Sequence, residues 1–249
     1  MARSNTGDTA NWFSNATPPV TAMPLTMACW VNAVNVTAYN NLVTINSNAG
    51  TYHYWSMALG GDRAGDPITA ETNDNSGGES YGESTAGYTA GAWHHACAVF
   101  LSSTSRSAYL NGANKGTNTT SQATTGVTRI QLGAYDDGAT KYSPLNGSIA
   151  EVGIWNVALS DAEVLMLGKG FAPPLVRPDA LVAYWPLYGR MPTTEQDRWG
   201  NCHMTINGTM AFAAHVPNIK YPSWVQVGFP IPAAPVGGNR RRRVLMGAV

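Results

Sequence analysis

The sequence predicts an all-β protein, a two-sheet antiparallel sandwich with one short helix and an extended C-terminal tail. Three observations carry that expectation. Helical periodicity is confined to one stretch of about two turns, while the rest alternates over short spans between turn residues. Charged residues are only 12% of the 249, so the surface must be built from Thr, Ser, Asn and Gly, which favour turns and solvated sheet faces. Hydrophobic residues make up 44%, enough for the core of one large sandwich.

The elements follow in order. Residues 25–31 are apolar and alternating, and residues 41–46 and 52–59 read as the next strands. Residues 60–87 are rich in Gly, Asp and Asn and read as a long loop. Residues 92–101 and 107–110 are strands, the second entering Asn111-Gly112, a tight hairpin signal because both residues tolerate positive φ. Residues 128–133, 147–155, 181–187 and 204–207 complete the strands. The single helix spans residues 160–168, with Ser160 and Glu163 as a capping box, Asp161 suited to the helix start and Gly168 as the stop. Residues 222–235 are Pro-rich and apolar, and Gly237-Gly238-Asn239 precedes four arginines. The chain therefore divides into a sandwich, residues 1–215, and a Pro/Gly/Arg-rich arm, residues 216–249.

Charge is balanced overall, 15 basic against 15 acidic residues, but it is unevenly spread. Four of the basic residues are Arg240, Arg241, Arg242 and Arg243, which leaves 11 basic against 15 acidic groups in residues 1–238, a net of −4. A body of that sign is a poor match for nucleic acid. The three cysteines, Cys29, Cys97 and Cys202, are too few and odd in number for a disulfide framework. Cys29 and Cys97 sit in apolar runs and read as small buried hydrophobes, a Cys29–Cys97 bridge being the alternative. The first residues lack the apolar core of a signal peptide, and no run approaches a membrane span of about 20 residues, so synthesis and folding in a cytoplasm are expected. Asn15, Asn35, Asn118, Asn146 and Asn207 head glycosylation sequons, which an Asn/Thr-rich composition produces by chance.

Four segments, in order, carry a resemblance. Pro24-Leu-Thr-Met-Ala-Cys-Trp-Val is similar to the opening strand of laminin G-like, concanavalin A-like jelly rolls. Trp93-His94-His95-Ala-Cys-Ala-Val-Phe resembles that family's Trp-His-His strand, and Ser107-Ala-Tyr-Leu-Asn-Gly its Tyr-x-Asp-Gly hairpin. Leu145-Asn-Gly-Ser-Ile-Ala-Glu-Val-Gly-Ile-Trp-Asn-Val-Ala-Leu-Ser resembles the closing strand and short helix. Further on, Leu181-Val-Ala-Tyr-Trp-Pro-Leu and Asp197-Arg-Trp-Gly-Asn-Cys-His-Met-Thr-Ile-Asn-Gly-Thr are similar to laminin G-like proteins encoded by tailed phages. That likeness implies a virion protein, a capsid decoration or fibre component, made in the host cytoplasm and assembled in several copies with other virion proteins. Arg240 to Arg243 then read as an assembly arm whose charge steers it to an acidic partner. The alternative is a lectin-like carbohydrate-binding module, Ca²⁺-dependent or not, directed at a cell-surface glycan.

Catalysis is not expected. In the Ile149 to Ile154 strand, Ile149, Glu151 and Gly153 share one face and Ala150, Val152 and Ile154 the other, if alternation is unbroken. A glucanase on this fold needs two carboxylates about 5 Å apart, and that strand offers Glu151 alone. Asp161 and Glu163 cap the helix, and Glu195 and Asp197 fall in a loop. Cys97 shares a strand face with His95 and not with His94, and reads as core. His53, His203 and His215 are scattered, without zinc spacing. The resemblance raises calcium at the sandwich rim, for which Asp62, Asp66 and Asp74 in the long loop, and Asp136 with Asp137, are the oxygen donors available. For a glycan, the loop aromatics are Tyr81, Tyr88, Tyr135 and Tyr142.

Overall fold

The computed structural model describes residues 1–47, 52–76, 78–138, 140–188 and 191–222; Arg240 to Arg243 lie outside them. In chain order the strands are β1 (Ala2–Thr6), β2 (Trp12–Asn15), β3 (Leu25–Ala33), β4 (Tyr39–Asn46), β5 (His53–Gly60), β6 (Pro67–Asp74), β7 (Ser80–Gly87), β8 (Trp93–Ser102) and β9 (Ser105–Leu110). Then come β10 (Ala113–Asn118), β11 (Arg129–Leu132), β12 (Tyr135–Asp136), β13 (Lys141–Tyr142), β14 (Asn146–Trp155), helix α1 (Asp161–Gly168), β15 (Leu181–Trp185), β16 (Thr194–Glu195), β17 (Met204–Asn207) and β18 (Ala211–Ala213). Two antiparallel sheets face each other. The back sheet has the order β10-β9-β8-β3-β14-β1-β18, with β15 also paired to β14; the front sheet runs β16-β17-β2-β11-β4-β5-β6-β7.

Alternation builds the core. Leu25, Met27, Cys29, Val31 and Ala33 of β3, with Ala96, Ala98 and Phe100 of β8, meet Val43 and Ile45 of β4 and Trp55, Met57 and Leu59 of β5 in one buried cluster. The intervening back-sheet residues point outward. Ala28, Cys97, Val99 and Tyr109 lie under α1 and the segment leading to β15 in a second cluster with Val164, Leu167 and Leu181. Helix α1 has the expected capping box. Asn111 (φ 56°) and Gly112 (φ 74°) make the β9–β10 turn with both residues left-handed, as the sequence predicts.

Pairing of Ala28 with Cys97 and of Cys29 with Ala96 sends the two sulfurs to opposite faces of the sheet. A Cys29–Cys97 bridge is thereby excluded, and all three thiols are free and buried. His95 is buried on the outer side, edge-on to Trp30 with ring centroids 5.6 Å apart, while Trp93 is only partly buried.

Several expectations fail for physical reasons. Residues 60–87 are not one loop, since they contain β6 and β7. In Ile68-Thr-Ala-Glu the inward positions are apolar and the outward ones polar, and the high density of turn residues on either side hides that alternation. The N-terminal strands β1 and β2 also escape notice, both being short and β1 largely polar. Within β14 the register to β3 jumps between Ala150 and Gly153, a bulge at which Glu151 adopts φ 55°. The bulge resets the phase, so Ile149, Val152 and Ile154 all face the core and Glu151 faces out. Contacts with the sandwich also continue beyond residue 215. Val216 packs on Ala2 and Ala150, and Lys220 bridges Phe171. The sheets close along one side where β7 meets β10, near enough that a Cβ on Gly116 would stand 1.7 Å from the Glu83 carbonyl oxygen.

Candidate functional site

The outer face of the front sheet carries a cleft of about 330 Å³, walled by six tyrosines: Tyr39, Tyr52, Tyr54, Tyr81, Tyr135 and Tyr142. Strand β4 supplies Tyr39 and Asn41, β5 supplies Tyr54 and Ser56, β6 supplies Glu71 and β7 supplies Tyr81. All lie on outward positions, so the period of two that fills the core on one side builds the cleft on the other. A bulge in β4 between Asn41 and Val43 keeps both Leu42 and Val43 in the core while Asn41 stays outward. The β12–β13 hairpin folds over this face as the remaining wall. Asn46 Nδ2 donates to the Asp136 carbonyl at 2.8 Å, Gln131 Nε2 donates to the same carbonyl at 3.0 Å, and the Tyr135 ring tilts against Tyr54 at 5.2 Å.

The floor is polar and ordered. Asn41, 4% exposed, accepts on Oδ1 from Ser56 at 2.8 Å and Thr44 at 3.3 Å. Its amide orientation is thus fixed, and Nδ2 makes no hydrogen bond among the described residues. Tyr135 Oη likewise has no partner among them. Glu71, also 4% exposed, accepts from Tyr39 Oη at 2.5 Å and Tyr54 Oη at 2.6 Å. Tyr54 Oη lies 2.9 Å from Glu79 as well, and Tyr81 Oη donates to Glu79. Burial pushes the Glu71 carboxyl up to about 7, against the lowering effect of the two phenols. Burial and the adjacent carboxylates push Tyr39, Tyr54 and Tyr81 far up, so these hydroxyls remain donors.

Glu71 and Glu79 form a carboxylate pair that reasoning from sequence misses, because they are eight residues apart and flank a turn inside the supposed loop. Their separation is within the reach of the retaining glycosidase geometry. The Tyr54 hydroxyl, however, stands between them, 2.6 Å from one and 2.9 Å from the other, where the bond to be cut would have to sit.

Of the aromatics expected to contact a glycan, Tyr81, Tyr135 and Tyr142 come together in the cleft. Tyr88 does not: it is 3% exposed and packed in the main core, so its apolar ring fills the sandwich. Tyr39, Tyr52, Tyr54, Asn41 and Glu71 were not anticipated. Their one signal is outward polar alternation on β4 to β6.

The donors suggested for calcium do not fit that ion. Asp136 is 5% exposed, with Oδ2 held by Arg129 at 2.6 Å and Oδ1 capping the Gly138 amide at 2.8 Å. Asp137 caps Thr140, and Asp74 accepts from Ser76 and Ala123. Asp62 lines the cleft singly, and Asp66 takes a left-handed turn conformation (φ 49°). Among the described residues no group of three His, Cys, Asp or Glu side chains is placed to hold a metal ion. Glu195 and Asp197 are structural too. The first pairs with buried Arg3 at 3.3 Å, and the second accepts from the backbone amides of Tyr184, Trp199, Gly200 and Cys202. No described helix is long and apolar enough to cross a membrane.

The fold recurs in known structures. A protein from Bacteroides ovatus described as carbohydrate binding superposes with a TM-score of 0.61 at 16% identity, over 88% of this chain and 61% of that one. A heptameric SAP-like pentraxin from Limulus polyphemus gives 0.54 at 15% identity, over 67% of this chain and 79% of its own. At such identities the likeness shows the fold alone. No curated protein matches by sequence. The model of the concanavalin A-like lectin/glucanases superfamily matches residues 5–165, which takes in β2 to β14 and most of α1, and the chain belongs to that superfamily.

Proposed function

We propose that this protein is a non-catalytic, lectin-like carbohydrate-binding module whose ligand occupies the tyrosine-walled cleft of the front sheet. The observation that carries the reading is the pairing of stacking surfaces with fixed, unspent polar groups. The Tyr142 ring is 40% exposed and stacks on Tyr135 at 5.7 Å, offering an apolar platform to the C–H face of a sugar ring. Beneath it Asn41 Nδ2 and the Tyr135 hydroxyl have no partner among the described residues, and the exposed Glu79 carboxylate can accept further, which is the combination sugar hydroxyls require. The superfamily and a carbohydrate-binding structural neighbour support it.

The test is a glycan array with the full chain, followed by calorimetry on the best ligand with Tyr142→Ala and Asn41→Leu. Each substitution is expected to weaken binding by tenfold or more. A blank array, or ligands whose affinity neither change alters, overturns the proposal.

A second reading, a virion structural component present in several copies, is favoured by one feature. Residues 216–221 are clamped to the back of the sandwich, which gives the basic stretch that follows a fixed origin. The two readings are compatible, since a coat protein can carry a glycan site. Loss of particle association on removing residues 223–249 would support this one, and unchanged association would end it.

A further inference from the structure

The charge of the cleft is unbalanced. Among the described residues Asp62, Glu71 and Glu79 line it, against one cation, Arg63. That guanidinium is already committed: Nε donates to Glu83 and the group lies 3.9 Å over the Tyr81 ring. Hydrogen counting sharpens the imbalance. The Tyr54 hydroxyl has one proton to donate and stands 2.6 Å from Glu71 and 2.9 Å from Glu79, so it can answer only one of the two carboxyl groups. A positive group placed at the exposed Glu79 balances this acidic pair. Six phenol rings surround the spot, and aromatic faces attract cations. Asn41 Nδ2, held by Ser56 and Thr44 on a side chain more than nine-tenths buried, points to a ligand oxygen within the same cleft.

We propose that the cleft selects an amino sugar bearing a free ammonium group, which sits against Glu79 and the tyrosine faces while Asn41 donates to a neighbouring sugar oxygen. This rests on the cleft being the glycan site and names the class of glycan. A carboxylated sugar is disfavoured by this acidic lining. An N-acetylated sugar fits the aromatic walls but leaves the Glu79 charge unanswered.

Calorimetry on the full chain with three tetramers of the same β-1,4 linkage decides the matter: glucosamine with free amines, its N-acetylated counterpart, and glucose. Free glucosamine is expected to bind at least tenfold tighter than either of the others. Glu79 is exposed, so Glu79→Gln leaves the fold intact, and it should bring that ratio to within twofold. Equal or tighter binding of the N-acetylated or glucose tetramer overturns the ammonium inference and leaves the glycan site standing. A tenfold preference that survives Glu79→Gln also overturns it, since the acidic body would then be attracting the amine from elsewhere. Failure of all three to bind overturns the ammonium inference, while the glycan site itself stands or falls with the array.

Discussion

Glu71→Gln tests whether a buried acid under the tyrosines sets the pH dependence of the fold. The carboxyl of Glu71 is raised from 4.5 to about 7 by burial, so the folded protein holds a proton that the unfolded chain has already released. Stability is therefore highest below pH 4.5 as far as this group is concerned, and falls as pH rises through 7. The shift corresponds to a loss on the order of 3 kcal/mol across that window. For a chain of this size that is roughly 6–12 °C in Tm. His95 slopes the opposite way. Burial lowers it to about 3, so its contribution is present above pH 6.5 and lost as pH falls. Both proteins carry His95, so the difference between their profiles isolates Glu71. The assay is thermal unfolding of wild type and Glu71→Gln from pH 4.5 to 8. Wild type should lose stability relative to the variant across that range by about the amount given. Parallel profiles would refute the reasoning and place an ionised Glu71 under the phenols at every pH.

The remaining predictions concern the frame. Asp197→Ala strips four backbone amides of their acceptor and should cost roughly 3 kcal/mol or more in urea unfolding; a loss under about 1 kcal/mol would mean that water replaces the carboxylate. Gly116→Ala drives a methyl into the Glu83 carbonyl and should lower stability by roughly 2 kcal/mol or more, with no effect if the β7–β10 seam yields freely. A thiol reagent should find no reactive cysteine in the native protein and three after denaturation, because Cys29, Cys97 and Cys202 are free, buried and raised in pKa by that burial. Rapid native labelling of any of them would contradict the packing described.

The sandwich was legible in the sequence wherever one strand face is continuously apolar. Leu25 to Val31 and Trp93 to Phe100 announce themselves, and so does the Ser160–Glu163 capping box, because each signal is local. The site was only half legible, for the opposite reason. Glu71 lies on a strand whose outward face is Thr, Glu and Asn, the residues that also make turns, and only pairing with β5 separates the two cases. Tyr88 was misjudged because a tyrosine beside a glycine-rich turn can point either way along the chain. The phase of β14 failed at one residue: nothing in Ile149-Ala-Glu-Val-Gly-Ile marks the bulge at Glu151, which tertiary contacts impose.

That bulge has a consequence for how the molecule can be mounted. The outward Glu151 carboxylate accepts from Tyr184 at 2.6 Å and Tyr221 at 2.9 Å, and His215 lies 3.1 Å away. The end of the described chain is thereby stapled to the rear of the sandwich, while the tyrosine cleft opens at the front. A ligand in the cleft and the end of the described chain therefore occupy opposite faces, so neither obstructs the other. Glu151 shares the hold on that end with Val216, packed on Ala2 and Ala150, and with the backbone of Lys220, bonded to Gly170 and Ala172.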